Sequence, residues 1–339
     1  MARQGFAFRI GTRPMELRQL RYFLRIVELG SMSKAAKDLY IAQPALSSQI
    51  TNLESELGAR LLSRSVRGVS PTRAGDALYL HAQAVLRQIE RLKYDVANTD
   101  ALPGGPVSVG LPTSAANVLA GPLIAAVQQR YPDIQLRIVE SLSGHLLELV
   151  ATGRLEMSLL FEAVPGAGSP SKEIQRGGSI QWVPLIDEDL YLLARPPQGG
   201  GSAPTVSLEE AAGVPLVLPG SSNVTRQIIE RRFAEAGLAP SVMMELDSLS
   251  TIQSIVESGQ AATILSLSAL VGAGVREKLS VRSVDDPPLR RRLSLCNSDV
   301  LGMGAAAEVI GALIPELVCE LVASGRWAGA RLLQGGPAQ

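Results

Sequence analysis

The sequence predicts a multidomain chain. A mostly α N-terminal unit, a winged helix-turn-helix, leads into a long linker helix and then a larger α/β domain. Three observations carry that expectation. Apolar residues recur at helical spacing in short runs between Leu17 and Leu57. A longer run after Pro71-Thr72 keeps a 3.5-residue period. From Val107 onward, strand-like runs alternate with amphipathic ones, the pattern of a mainly parallel sheet covered on both sides.

Composition narrows the class further. The 339 residues are 46% hydrophobic, 19% charged and 4% aromatic, which excludes a disordered tail, a collagen-like repeat and a disulfide scaffold. The two cysteines, Cys296 and Cys319, show no C-x-x-C spacing, so neither a zinc site nor any other metal centre is expected. No uncharged apolar run reaches the ~18 residues of a membrane span. Formal net charge is zero, but its distribution is uneven. Residues 1–98 carry fifteen Lys or Arg against eight Asp or Glu, a charge of +7, which leaves −7 for residues 99–339. A basic unit joined to an acidic remainder is expected when one part meets a polyanion.

Residues 1–14 have little pattern, and the abrupt onset of periodicity predicts Met15 as the natural start, with the upstream residues an extension. The first helix presents Leu17, Leu20, Phe23, Leu24 and Val27 and stops at Gly30. Ser31 and Ser33 are the caps for a second helix, Lys34–Leu39, with Ala35, Ala36 and Leu39 inward. Pro44 opens a third helix that buries Leu46, Ile50, Leu53 and Leu57 and ends at Gly58. Its other face carries Ser47, Ser48, Gln49 and Asn52, which is the helix-turn-helix pattern. Leu61–Ser70 reads as two extended segments forming a wing with Arg64 and Arg67 projecting. Thr72 caps the linker helix, on which Leu78, Ala82, Val85, Ile89, Leu92 and Val96 form a heptad seam for a helical partner. The competing use of that seam is packing against its own domain.

Ala101–Pro106 is a turn-rich boundary. Beyond it the expected strands are 107–111, 134–140, 157–161, 216–218, 241–246, 262–265, 280–284 and 291–296. The expected helices are 117–130, 145–152, 224–236, 249–258 and 305–323. His81 and His145 stand alone, no catalytic set or phosphate loop has a motif context, and both cysteines are expected to be buried and inert. An enzyme is therefore not expected.

Leu17-Arg18-Gln19-Leu20-Arg21-Tyr22-Phe23, Gly30-Ser31-Met32-Ser33-Lys34-Ala35-Ala36 and Ile41-Ala42-Gln43-Pro44-Ala45-Leu46-Ser47-Ser48-Gln49-Ile50 run on through Leu53-Glu54-Ser55-Glu56-Leu57-Gly58, Leu61-Leu62-Ser63-Arg64 and Pro71-Thr72-Arg73-Ala74-Gly75. This pattern resembles the LysR-type transcriptional regulators. Ile41–Ser47 and Arg67–Thr72 look most like the nitrogen assimilation control subgroup. The resemblance implies that Gln43, Pro44, Ser47 and Ser48 lie at the major-groove end of a recognition helix, with Ser33 near a phosphate and Arg67 in the wing. Gln pairs bidentately with adenine, Ser takes either partner, and the Pro44 ring or Ala45 methyl suits a thymine methyl. Where many relatives carry arginine after the first serine, this chain has Ser48, so affinity is expected to rest on phosphates and to depend strongly on salt.

The resemblance also implies an effector domain like a two-lobed periplasmic binding protein over residues 107–325. Its first lobe is expected at 107–180 and 281–325, and its second at 181–280. The loops beyond the strand ends name Thr113, Ser114, Ser141, Ser143, Phe161, Ser221, Ser222 and Asn223 as effector contacts, with simple helix capping as the competing role of the hydroxyls. These loops carry no conspicuous charge. Ser266 stands where relatives usually have proline. The expectation is a cytoplasmic regulator, not an enzyme, with no cofactor and no membrane contact. It binds promoter DNA as a homodimer or homotetramer, with a small-molecule effector and RNA polymerase as further partners. Because the subgroup's best-known type acts without a small-molecule inducer, a vestigial cleft is the alternative to an effector. The competing reading is a small-molecule sensor whose N-terminal helices only dimerise it.

Overall fold

The computed structural model describes residues 15–65, 68–97, 103–162, 180–197, 203–272, 274–284, 288–298 and 303–333. The 1–14 extension and Arg67 lie outside them. The chain divides into two compact units, Met1–Lys93 and Tyr94–Gln339.

In the first unit, α1 (Leu17–Leu29), α2 (Met32–Asp38) and α3 (Gln43–Leu57) precede a two-stranded antiparallel wing, β1 (Leu62–Ser65) and β2 (Gly68–Pro71), and the long helix α4 (Arg73–Ala97). Gly30 and Gly58 end α1 and α3 in the left-handed conformation, the stop that the sequence signals. Leu20, Phe23, Leu46, Ile50 and Leu53 meet in one core. Leu57, expected inside, is 44% exposed because it occupies the last turn of α3, beyond the reach of that core. Ser31 alone caps α2, accepting from the Lys34 amide.

The linker helix is not a free connector. Ala82 is buried in the helical core, and Leu78, Tyr79 and Leu86 pack against it. The first half of α4 completes the small unit's core, and the compact unit runs on to Lys93, past the division at residue 72 read from the sequence.

The second unit contains two sheets. The six-stranded sheet has the order β14-β6-β13-β5-β3-β4. Its strands are β3 (Gly105–Leu111), β4 (Ile134–Glu140), β5 (Met157–Phe161), β6 (Ile180–Asp189), β13 (Arg290–Ser298) and β14 (Ala330–Leu332). Helices α5 (Thr113–Arg130) and α10 (Ala305–Ala323) cover one face, and α6 (Ser143–Ala151) covers the other. The second lobe joins β7 (Tyr191–Ala194), β8 (Thr205–Val206), β11 (Thr263–Leu265) and β12 (Ser280–Val284) in the order β11-β7-β12-β8. A bridge from Leu216 to Ala262 continues it into β9 (Leu216–Leu218) and β10 (Val242–Glu245). Helices α7 (Leu208–Ala212) and α8 (Val224–Glu235) pack on one side and α9 (Leu249–Ser258) on the other.

Two expectations change. The sheets are mixed: β3 runs parallel to β4 and β5, while β13 runs antiparallel to β5 and β6. The lobe limits also shift. Strand β6 carries the first lobe to Asp189, β12 keeps the second lobe to Val284, and β14 extends the first lobe past residue 325 to Leu332. Strand β6 escapes sequence reading because Pro184 interrupts it and its end is acidic, both unusual for a central strand.

Candidate functional site: helix-turn-helix face and inter-lobe cleft

The turn between α2 and α3 brings the first candidate residues together. The Ser33 hydroxyl donates to Gln43 Oε1 over 3.0 Å, so the start of α2 orients the first side chain of α3. Gln43, Pro44, Ala45 and Ser48 are exposed, and Ser47 is half-buried. Arg64 on β1 donates to Ser47 Oγ at 3.3 Å, fastening wing to helix. Glu54 holds the start of β1 by accepting from the amides of Leu61 and Leu62 at 2.8 and 3.2 Å. Thr72 closes the base of the wing. Its hydroxyl donates to the Arg60 carbonyl at 2.6 Å and accepts from the Gly75 amide at 3.1 Å.

The unit's cations fall into two groups. Arg25 makes a bidentate pair with Asp38 at 2.6 and 2.7 Å, joining α1 to α2, and Arg21 pairs with Glu90 on α4. The Asp38 carboxyl lies below its usual range because Arg25 hydrogen-bonds it. Lys34, Lys37, Arg60, Arg64 and Arg73 have no carboxylate within ion-pair distance among the described residues. They are the charges left for a polyanion. Along α4, Leu78 and Ala82 are spent on the domain core, Ile89 is half-buried, and Val85, Leu92 and Val96 stand 40, 61 and 72% exposed.

The second site is a cavity of about 50 Å³ between the lobes, on which the N-termini of α5, α6, α8 and α9 converge. Thr113, Ser114, Ser141, Ser143, Phe161 and Asn223 line it. Ser221 and Ser222 do not. They are exposed in the turn before α8, where the Ser221 carbonyl accepts from Gln227. Asn223 caps α8 through the Thr225 amide, whereas Pro112 and Leu142 cap α5 and α6 without a side-chain bond. The hydroxyls of Ser114 and Ser143 are thus free for other partners. Ser143 accepts from the Phe161 amide at 3.1 Å.

Sequence reading missed the charge at this cleft. Arg291 on β13, 5% exposed, lines it and donates to Glu188 on β6 from Nε at 2.8 Å and from Nη2 at 2.6 Å. Its other bonds reach Ser114 at 2.8 Å, Thr225 at 2.7 Å and Ser266 at 2.6 Å. The guanidinium lies 3.6 Å from the Phe161 ring centre, and Trp327 Nε1 donates to the other Glu188 oxygen at 3.0 Å. Burial draws the Arg291 pKa down while Glu188 raises it, and a guanidinium keeps its proton in either case. A signal was available. Asp187-Glu188-Asp189 and Arg290-Arg291-Arg292 pair in antiparallel register, and of the three arginines alternation turns only Arg291 inward, onto Glu188.

Two family models match this chain. "Bacterial regulatory helix-turn-helix protein, lysR family" covers residues 17–76, and "LysR substrate binding domain" covers residues 100–325. The chain belongs to the LysR family. It is a transcriptional regulator, not an enzyme. It is 34% identical to the nitrogen assimilation regulatory protein nac of Klebsiella aerogenes over 305 residues, 90% of this chain and 95% of the relative. Identity to the nac protein of Escherichia coli (strain K12) is 36% over 256 residues, 75% of this chain and 79% of the relative. In fold it resembles a full-length OxyR variant from Pseudomonas aeruginosa, with a TM-score of 0.67 and 23% identity, covering 96% of this chain and 100% of that one. It likewise resembles CbnR in complex with its target DNA, with a TM-score of 0.62 and 21% identity, covering 90% and 100%.

Proposed function

We propose that this LysR-family regulator acts as a homodimer or homotetramer that lays α3 of each protomer in a major groove and its wing along the phosphates. The reading rests on one observation: at the N-terminus of α3, exposed Gln43, Pro44 and Ser48 stand next to the Ser33–Gln43 and Ser47–Arg64 bonds. Gln43 Nε2 is proposed to reach adenine, and the five cations with no carboxylate partner among the described residues to supply phosphate contacts. Arg67 is proposed as a sixth contact, in the wing. Val85, Leu92 and Val96 are the proposed contacts between linker helices, with Ile89 beside them and with Leu78 and Ala82 anchoring the same helix to its own domain.

The lobes are proposed to bias the oligomer's geometry when a small-molecule effector meets Thr113, Ser114, Ser141, Ser143, Phe161 or Asn223. Ser221 and Ser222 act only as neighbours of that site. Similarity to two proteins named for nitrogen assimilation supports control of nitrogen-metabolism genes. Contact with RNA polymerase and a cytoplasmic location complete the proposal.

Genome-wide mapping of bound DNA, followed by band shifts on the mapped sites, tests this reading. Gln43→Ala is expected to cost about 1–3 kcal/mol of base discrimination. Arg64→Ala is expected to weaken binding about equally on all sequences. Unchanged DNA affinity in both variants would favour the sensor whose helices only dimerise it. Sites away from nitrogen-metabolism genes would remove that part of the proposal.

A further inference from the structure

We infer that Arg291 is a latch between the two lobes of the effector domain: held in the first lobe, it donates across the cleft to the second, and its release is the step by which the lobes part. Four groups fix the guanidinium on the first-lobe side. Glu188 accepts twice, the Phe161 ring lies against it, Ser114 accepts from Nη2, and Trp327 pins the far oxygen of Glu188. The two remaining acceptors belong to the second lobe. Thr225 in the first turn of α8 takes Nη1, and Ser266 just after β11 takes Nη2. A third bond lies beside them, from Asn117 Nδ2 on α5 to the Ser268 carbonyl at 3.1 Å.

The physical chemistry makes this an on-or-off device. Charge-assisted bonds in a dry site are roughly twice as strong as neutral ones. Glu188 is fully buried and Arg291 nearly so, so partial separation would strand the Nη1 N–H that Thr225 accepts and leave Nη2 with its first-lobe acceptors alone. The lobes are therefore stable either latched or far enough apart for water to enter, with little between. Ser266 matters because its fully buried hydroxyl is the acceptor that the second lobe offers to Nη2.

Amide hydrogen exchange on the full-length chain tests this. The double variant Thr225→Val/Ser266→Ala removes both second-lobe acceptors and keeps the Arg291–Glu188 pair. Ser114→Ala removes a bond of the same kind inside the first lobe. Exchange over residues 223–227 is expected to accelerate on the order of tenfold for each bond removed in the double variant and to stay unchanged in Ser114→Ala. Equal effects in the two variants, or no acceleration in the double one, would overturn the latch. The unaltered protein provides a second measurement that needs no variant to fold. Residues 112–116 and 223–227 should open at one common rate, and independent rates would refute the device. DNA binding enters neither measurement, so this inference and the proposed function fail separately.

Discussion

Arg291 and Glu188 illustrate how much a single residue's setting depends on strand register. Three acidic and three basic residues face one another across β6 and β13, yet only in the middle pair are both members buried; Asp189 is buried too, but its partner Arg290 is exposed. The outer pairs are exposed enough for solvent to screen them, and they contribute little. Removing one member of a buried pair leaves an unpaired charge in a dry site. Arg291→Met is therefore expected to lose about 3–5 kcal/mol of stability, and Arg291→Met/Glu188→Gln to recover part of it. Urea melts of the two variants measure the difference, and equal losses would contradict it. The cysteines separate in the same way. Cys296 is buried, and burial pushes its thiol far above the usual range, whereas Cys319 is exposed on α10, contrary to the sequence expectation for it. At neutral pH a thiol reagent should modify one cysteine per folded chain and two after denaturation.

Among the elements, the wing shows what a glycine is for. Gly68 sits at φ 127°, and a Cβ there would stand 2.6 Å from the Gly30 carbonyl oxygen. The neighbouring Val69 amide donates to that same oxygen at 2.9 Å, so the wing is seated on the end of α1. Gly68→Ala combines a strained backbone with a clash against backbone, at a cost of about 1–3 kcal/mol. The expected outcome is weaker DNA binding with the circular dichroism of the helices intact; undiminished affinity would dissociate the wing from binding. Helices α1 and α2 are joined by Arg25 and Asp38. The carboxyl's pKa is lowered in the fold, so this contribution is complete above its ordinary value of 3.8. It is lost as pH falls through the lower folded value. The Asp38 side-chain resonance should accordingly titrate at lower pH in the folded chain than in urea. Most elements of regular period were legible, and strand limits such as 134–140 and 157–161 coincide with the sequence reading. Strand β6 was not legible, because its place in the sheet comes from partners over a hundred residues away.

On the scale of the whole molecule, formal neutrality conceals a basic first unit and an acidic second one. The structure refines that arithmetic by showing which charges are already committed inside the first unit. Lys34, Lys37, Arg60, Arg64 and Arg73 have no carboxylate partner among the described residues, whereas Arg21 and Arg25 do. Neutralising Lys34 or Arg60 should reduce the slope of log affinity against log salt by about 0.9 for each phosphate no longer neutralised. Neutralising Arg21 should leave the slope unchanged and affect stability instead. A salt titration of the three variants decides between an electrostatic role for the free cations and a uniform one for all cations.

The sequence by itself determined the helix-turn-helix, its wing, the alternation of strand and helix, and the hydroxyl-bearing loops of the cleft. Those features are local: a period, a cap or a turn residue is written in a dozen consecutive positions. Only the tertiary structure decided which sheet takes β6 and β12, how far α4 belongs to the first unit, and that a buried ion pair lies at the cleft. Those outcomes depend on register between distant strands. Register turns Arg291 inward and its neighbours Arg290 and Arg292 outward, and no short stretch of sequence records it.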